Sequence, residues 1–157
     1  VEALTVRTVR LRDLGGVVHT VPFSSVDTIE NLTKEFSHAV VDIGVGYREN
    51  YDRVVEVLTS IGAELHADPE FGKKILEPMS VLGLNELAES AVVIRVRFKT
   101  GPADQWAVKR DFLRRVKARF DELGIEIPFP HRTLYFGEDR QGNAPPLRHR
   151  AAPDTTD

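Results

Sequence analysis

The sequence predicts a β plus α+β protein: a small, strongly bent β module followed by two helices layered on one antiparallel sheet. Three observations predict it. Apolar positions alternate with polar ones through much of the first 36 residues. From residue 38 the periodicity runs strand, helix, strand, strand, helix, strand. With 157 residues, 41% of them hydrophobic, the chain is long enough to bury a core of its own.

In Ala3 to Arg12 the apolar positions are Leu4 and Val6, then Val9 and Leu11. Their parity switches near Thr8, as a bulge or sharp bend within one strand would require. Asp13-Leu14-Gly15-Gly16 reads as a turn, and Val17 to Pro22 as the returning strand. Pro22 has no amide donor, so it should end that strand or lie on an edge. Further short strand segments are expected around Thr28-Ile29 and from Asn31 to Phe36, completing the β module.

A new pattern begins at His38. Val41, Ile43 and Val45 alternate with Asp42 and Gly44, which is strand periodicity. Asn50 is placed to cap a helix, with Asp52 in its electropositive first turn. Tyr51, Val54, Val55, Leu58, Ile61 and Leu65 recur at helical spacing, and Gly62 is expected to weaken this helix or end it early. Strands are expected over Leu76 to Leu84 and Ala91 to Lys99. In the latter, Ile94, Val96 and Phe98 face one way and Arg95, Arg97 and Lys99 the other. Pro102 suits the first residue of a second helix, whose apolar stripe would be Trp106, Leu113, Val116, Phe120 and Leu123. Gly124 suits the left-handed position that ends it, with Ile125 as the hydrophobic follower. Pro128-Phe129-Pro130 then gives a stiff link to a last short strand, Thr133-Leu134-Tyr135-Phe136. Residues 138–157 carry scattered charge and almost no apolar side chain, as a disordered tail does. The order β-α-β-β-α-β is ferredoxin-like, with its final strand displaced behind the Pro-x-Pro spacer.

Composition excludes much chemistry. The absence of cysteine removes disulfides, thiol nucleophiles and cysteine-ligated metals. The longest apolar run, Ala91 to Ile94, is far short of the roughly 20 residues that span a bilayer. The chain begins at Val1 without an initiator methionine, so a preceding segment is expected. Histidines 19, 38, 66, 131 and 149 show no metal-ligand spacing, and no metal, cofactor or catalytic residue is expected. Asp42 with Glu49-Asn50 reads as a solvent-facing strand residue and a helix cap rather than an acidic pair. Gly44-x-Gly46 lacks the third glycine and the Lys-Ser/Thr of a phosphate loop. Nine basic residues lie between Arg95 and Arg119 against Asp104 and Asp111. They read as a solvated helix back and one charged strand face. RNA binding is the alternative, weakened because Phe98 lies on the apolar side of its strand, while the net charge of −3 is no footprint of a nucleic-acid binder.

Several segments carry a resemblance. Thr8-Val9-Arg10-Leu11-Arg12-Asp13-Leu14-Gly15-Gly16 through Val21-Pro22 resembles the β domain that follows the pore helix in the small-conductance mechanosensitive channel (MscS) family. Asn31-Leu32-Thr33 sits where that family has Asn-x-Ser/Thr. Val41-Asp42-Ile43-Gly44-Val45-Gly46-Tyr47 and Asp52-Arg53-Val54 are similar to the entry of its α/β domain. Leu84-Asn85-Glu86-Leu87 to Phe98 is similar to its central hairpin, and Gly124-Ile125-Glu126-Ile127-Pro128-Phe129-Pro130 to its exit. Two departures stand out: Phe23-Ser24-Ser25 replaces the usual Asn and Gly after Pro22, and Ala88 replaces a frequent hairpin glycine, which predicts a hairpin that is looser or differently turned.

The resemblance implies an Sm-like β domain over residues 1–37, a ferredoxin-like α/β domain over 38–128 and a C-terminal barrel strand over 129–137. It implies a homoheptamer whose C-terminal strands, through Thr133, Leu134, Tyr135 and Phe136, close a small barrel. The subunit would hang from membrane helices upstream, on the cytoplasmic side of a cell inner membrane. It would serve assembly and solute filtering, with ions and small osmolytes as permeants during osmotic stress. No nucleic-acid partner is implied. An acylphosphatase-like enzyme on the ferredoxin-like scaffold is the remaining reading. It fails because only Arg48 and Asn50 come near the phosphate-binding loop it needs.

Overall fold

A computed structural model describes residues 1–32, 34–130 and 132. Period-two burial is cleanest in β4 (Ser37–Val45), where Ala39, Val41, Ile43 and Val45 are buried while Val40 and Asp42 are exposed. β6 (Val92–Thr100) repeats it, with Ile94, Val96 and Phe98 buried and the intervening cations on the opposite face. β6 lies between β4 and β5 (Ile75–Leu87), antiparallel to both, with Val41 and Val81 each opposite Val96. The outer strands therefore run parallel, which demands a crossover connection. Helix α1 (Tyr51–Ala67) makes it.

Local signals start and stop the helices. The Asn50 side chain accepts the Arg53 amide at 3.0 Å, and Asp52 occupies the first turn. Gly62 does not end α1, which continues to Ala67. A Cβ at Gly62 would lie 2.8 Å from Met79 Sδ on β5, so the missing side chain lets helix and strand approach. Helix α2 (Gln105–Leu123) begins after Asp104 rather than at Pro102. Ala103 adopts a left-handed φ of 68°, which a right-handed helix cannot contain.

The stripe that α2 buries differs from the expected one. Val108, Phe112, Val116 and Phe120, each four residues apart, face the sheet, and Phe112 meets Phe98 edge-on at 4.9 Å between centroids. Trp106, Leu113 and Leu123 are 56%, 39% and 40% exposed. A four-residue step keeps one face on the sheet and leaves Trp106 and Leu113 on its shoulder. Gly124, at φ 65°, closes the helix as expected. The Ile125 amide donates to the Phe120 carbonyl at 2.9 Å, and Ile125 is buried.

The first sheet has the order β1 (Ala3–Leu4), β2 (Thr8–Arg12), β3 (Val18–Pro22). The parity switch near Thr8 is a chain reversal rather than a bend in one strand, because Leu4 pairs with Val9. Thr5 makes that reversal by accepting the Thr8 amide on its hydroxyl at 2.9 Å. At the next turn Asp13 Oδ1 accepts the Val17 amide at 2.9 Å, and Gly16 takes a φ of 87°. Pro22 ends β3 on the sheet edge. No strand forms among the described residues between Val26 and Phe36. Phe23–Ser25 is instead one 3-10 turn, and Ile29 beyond it is 77% exposed, without a neighbouring strand on which to bury. The expected strand Thr133 to Phe136 and the tail 138–157 lie outside the described residues.

Two stability measurements test this packing. Phe112→Ala or Phe120→Ala should cost about 3–5 kcal/mol in urea unfolding, whereas Trp106→Ala should cost under ~1 kcal/mol, as surface changes usually do. Gly62→Ala should destabilise by about 1–3 kcal/mol through overpacking against Met79. Stabilisation by alanine's helix propensity would show that the helix and strand can part without cost.

Candidate functional site

The basic run between Arg95 and Arg119 is mostly paired within the chain. Arg95 faces its cross-strand partner Asp42 and donates from Nε and Nη2 to both carboxylate oxygens at 2.6 and 2.7 Å. Those bonds hold the Asp42 carboxyl below the usual carboxylate range. Lys99 pairs with Glu77 across the other seam, lowering that carboxyl in the same way. On α2, Arg115 bonds Asp111 one turn back and reaches Asp68, just beyond α1, each at 2.6 Å. Burial pushes the Asp111 carboxyl up, but the bonds from Arg115 and Arg114 outweigh it and bring it down. The Arg115 guanidinium likewise lowers Asp68, aided by the amides of Glu70 and Phe71. Arg119 joins Glu64 of α1 at 3.0 Å, and Lys117 pairs with Asp121. Arg95 and Lys99 fasten strand to strand, and Arg115 and Arg119 tie α2 to residues on or just beyond α1.

The other candidate residues do not converge. Asp42 and Glu49 form no acidic pair: Asp42 is held by Arg95, and Glu49 Oε1 accepts the Glu126 amide at 2.9 Å. The Gly46 amide donates to the Glu126 carbonyl at 3.0 Å, so it binds the exit of the chain rather than a phosphate. His19 contacts Asp13 at 3.1 Å, His38 lies against the Phe36 ring, and His66 belongs to α1. His131 and His149 lie outside the described residues. Among the described residues, no group of three or more His, Asp or Glu is placed to hold a metal. The hairpin at Ala88 is closed rather than loose. The Ala88 amide donates to the Ala91 carbonyl at 2.8 Å, and the Tyr47 hydroxyl donates to the Ala88 carbonyl.

Sequence reasoning missed a feature on the outer edge of β4. Two hollows of about 350 and 270 Å³ lie along it, bounded by Val40 with Trp106 in one and Gly44 with Leu113 and Ile127 in the other. The signal was available in the misplaced stripe, since Trp106 and Leu113 are the apolar residues of α2 that the core does not take.

Fold and pairing together define a mixed α/β protein, with two sheets and two α-helices among the described residues and its charge run committed largely to internal bonds. The family profile described as "Mechanosensitive ion channel MscS, C-terminal" matches residues 39–127. The chain belongs to the MscS family of mechanosensitive ion channels and carries its C-terminal domain. It is 33% identical over 140 residues to the small-conductance mechanosensitive channel of Caldanaerobacter subterraneus subsp. tengcongensis, covering 89% of this chain and 49% of that protein. It is 30% identical over 128 residues to the moderate conductance mechanosensitive channel YbiO of Escherichia coli, covering 82% of this chain and 17% of that one. The chain thus spans about half the length of the first relative and less of the second. Its fold is similar to closed-state MscS of Helicobacter pylori, with a TM-score of 0.69 at 20% identity over 88% of this chain and 54% of that one.

The lowered carboxylates set a pH dependence. Asp42, Asp68, Glu77 and Asp111 titrate lower in the folded chain than in the unfolded one, so the unfolded chain binds more protons in acid. Their stabilisation is present above the unfolded carboxylate values of about 4 and is lost as pH falls through the folded values. Arg115→Met should therefore shrink the difference in urea stability between neutral and acid solution. An unchanged acid limb would show that the Arg115 network does not set it.

Proposed function

We propose that this chain is the cytoplasmic vestibule region of a mechanosensitive ion channel, serving assembly and solute filtering beneath a tension-gated pore used in osmotic protection. The match of residues 39–127 to the MscS C-terminal domain carries the reading. Its support in the structure is that charged groups are engaged in holding the fold together rather than converging on a reaction centre. No described helix is long and apolar enough to cross a membrane. In this proposal the pore comes from upstream helices in a cell inner membrane, with residues 1–157 on its cytoplasmic side. Ions and small osmolytes are the permeants.

In the proposed organisation, residues 1–37 belong to an Sm-like domain and 38–128 to a ferredoxin-like domain. Support for the latter is the order β4-β6-β5 with helices between first and second strands and after the third. Residues 129–137 would leave that layer behind Pro128 and Pro130, and Thr133 to Phe136 would join copies from six other subunits in a closed barrel. So short a strand gains backbone partners and loses its exposed edge in that way. The RNA-binding alternative gains no support, because Arg95, Lys99, Arg114, Arg115, Lys117 and Arg119 are each bonded to a carboxylate of the same chain.

Ending the chain at Ile127 tests the organisation. The circular dichroism and unfolding transition of the α/β domain should stay nearly unchanged. In the complete protein with its membrane helices, the same cut should lower the oligomer's resistance to heat and detergent. Unfolding of the isolated domain by the cut would return Thr133 to Phe136 to that domain's own sheet.

A further inference from the structure

A β-α-β-β-α-β layer ordinarily closes with its fourth strand beside the first. Here the described chain reaches that place at Glu126 and forms no strand through Pro130. The Glu126 carbonyl meets the Gly46 amide just past the end of β4, and Ile127 borders the hollow at Asp42 to Gly44. Pro128 follows, and it cannot donate to a ladder. Among the described residues no strand pairs with the outer edge of β4. The Lys109 ammonium reaches it at Val40, and two hollows open along the rest.

That edge is furnished as a seat. The Val40 carbonyl points outward, where Lys109 Nζ donates to it at 3.2 Å. In an antiparallel strand the amide of the same residue points the same way. Trp106, Leu113 and Leu32 supply exposed apolar surface on either side. Gln105, only 7% exposed, borders the hollow at Val40, and its Oε1 has no hydrogen-bond partner. A buried acceptor without a donor is rare. The charge at this edge is selective. Lys109, bonded to the Val40 carbonyl rather than to a carboxylate, borders it, while Lys117 is held by Asp121 and the edge's own carboxylate, Asp42, by Arg95.

We propose that the outer edge of β4, flanked by Trp106 and Leu113, accepts an extended peptide segment of a partner protein, one that alternates apolar with acidic residues. The segment adds a fourth strand by β-augmentation. Its backbone replaces Lys109 on the Val40 carbonyl, its apolar side chains lie on Trp106 and Leu113, and its carboxylates meet the released Lys109. His38 to Gly44 has room for a strand of about seven residues.

Trp106 is the only tryptophan of the chain, so its fluorescence reports on the seat directly. The probe is an acetylated, amidated peptide of alternating Val and Glu, titrated into the full chain. A saturable blue shift is expected. N-methylation of the edge-facing peptide amides should weaken binding at least tenfold, as should replacing Glu by Lys. Gln105→Leu should weaken it several-fold while leaving the melting temperature unchanged. No saturable shift, or equal affinity for the N-methylated peptide, overturns the proposal. So does a blue shift that grows with chain concentration alone and blocks the peptide, since the occupant is then a second copy. At least tenfold tighter binding after ending the chain at Pro130 also overturns it, because the C-terminal residues then fill the seat themselves.

Discussion

Phe98 sits on the central strand of the larger sheet and packs edge-on against Phe112 of α2. An edge-to-face aromatic pair adds about 0.5–1.5 kcal/mol beyond its burial, but its larger significance is positional. It accompanies the placing of β6 between β4 and β5 with its apolar face toward the helices. Val41, Ile43, Ile94 and Val96 then join one core with Leu58, Leu65, Val116 and Phe120. Because strand side chains alternate, the same choice sends Arg95, Arg97 and Lys99 to the opposite face.

That opposite face uses its charges locally. Cross-strand pairs bring Arg95 to Asp42 and Lys99 to Glu77, so the sheet is stitched on the side that no described helix covers. Bidentate geometry makes the Asp42 contact the stronger of these, since a guanidinium matches a carboxylate with two parallel bonds. On the helices, Arg115 and Arg119 join α2 to residues on or just beyond α1. Exposed ion pairs contribute little singly. Their importance lies in fixing which partners these cations keep.

Two close backbone approaches complete the layer. Gly62 brings α1 against Met79, and Gly124 turns the chain so that Ile125 enters the core and Glu126 reaches Gly46. The exit of the polypeptide is thereby pinned beside the end of β4. Among the described residues, no strand pairs with the outer edge of β4.

Much of this was legible in the residues. Asn50 and Gly124 mark helix ends through side-chain and backbone chemistry confined to a few neighbours, and period two in Val41 to Val45 needs no distant partner to be read. The family resemblance carried by Val41 to Tyr47 and Gly124 to Pro130 was legible for the same reason, being a matter of order and spacing. Tertiary structure decided the rest. Gly62 as a contact with Met79, and the ion pairs of Arg95, Arg115 and Arg119, join residues far apart in the chain, and no local pattern names the partner. The reversal at Thr5 depends on which strand lies alongside, and the bareness of Ile29 on there being none. Trp106 and Val108 compete for the buried face of α2 on equal hydrophobic terms, and only the position of the sheet beneath the helix chose Val108. Local chemistry sets where elements begin and end; the packing of one element on another sets which of their faces is inside.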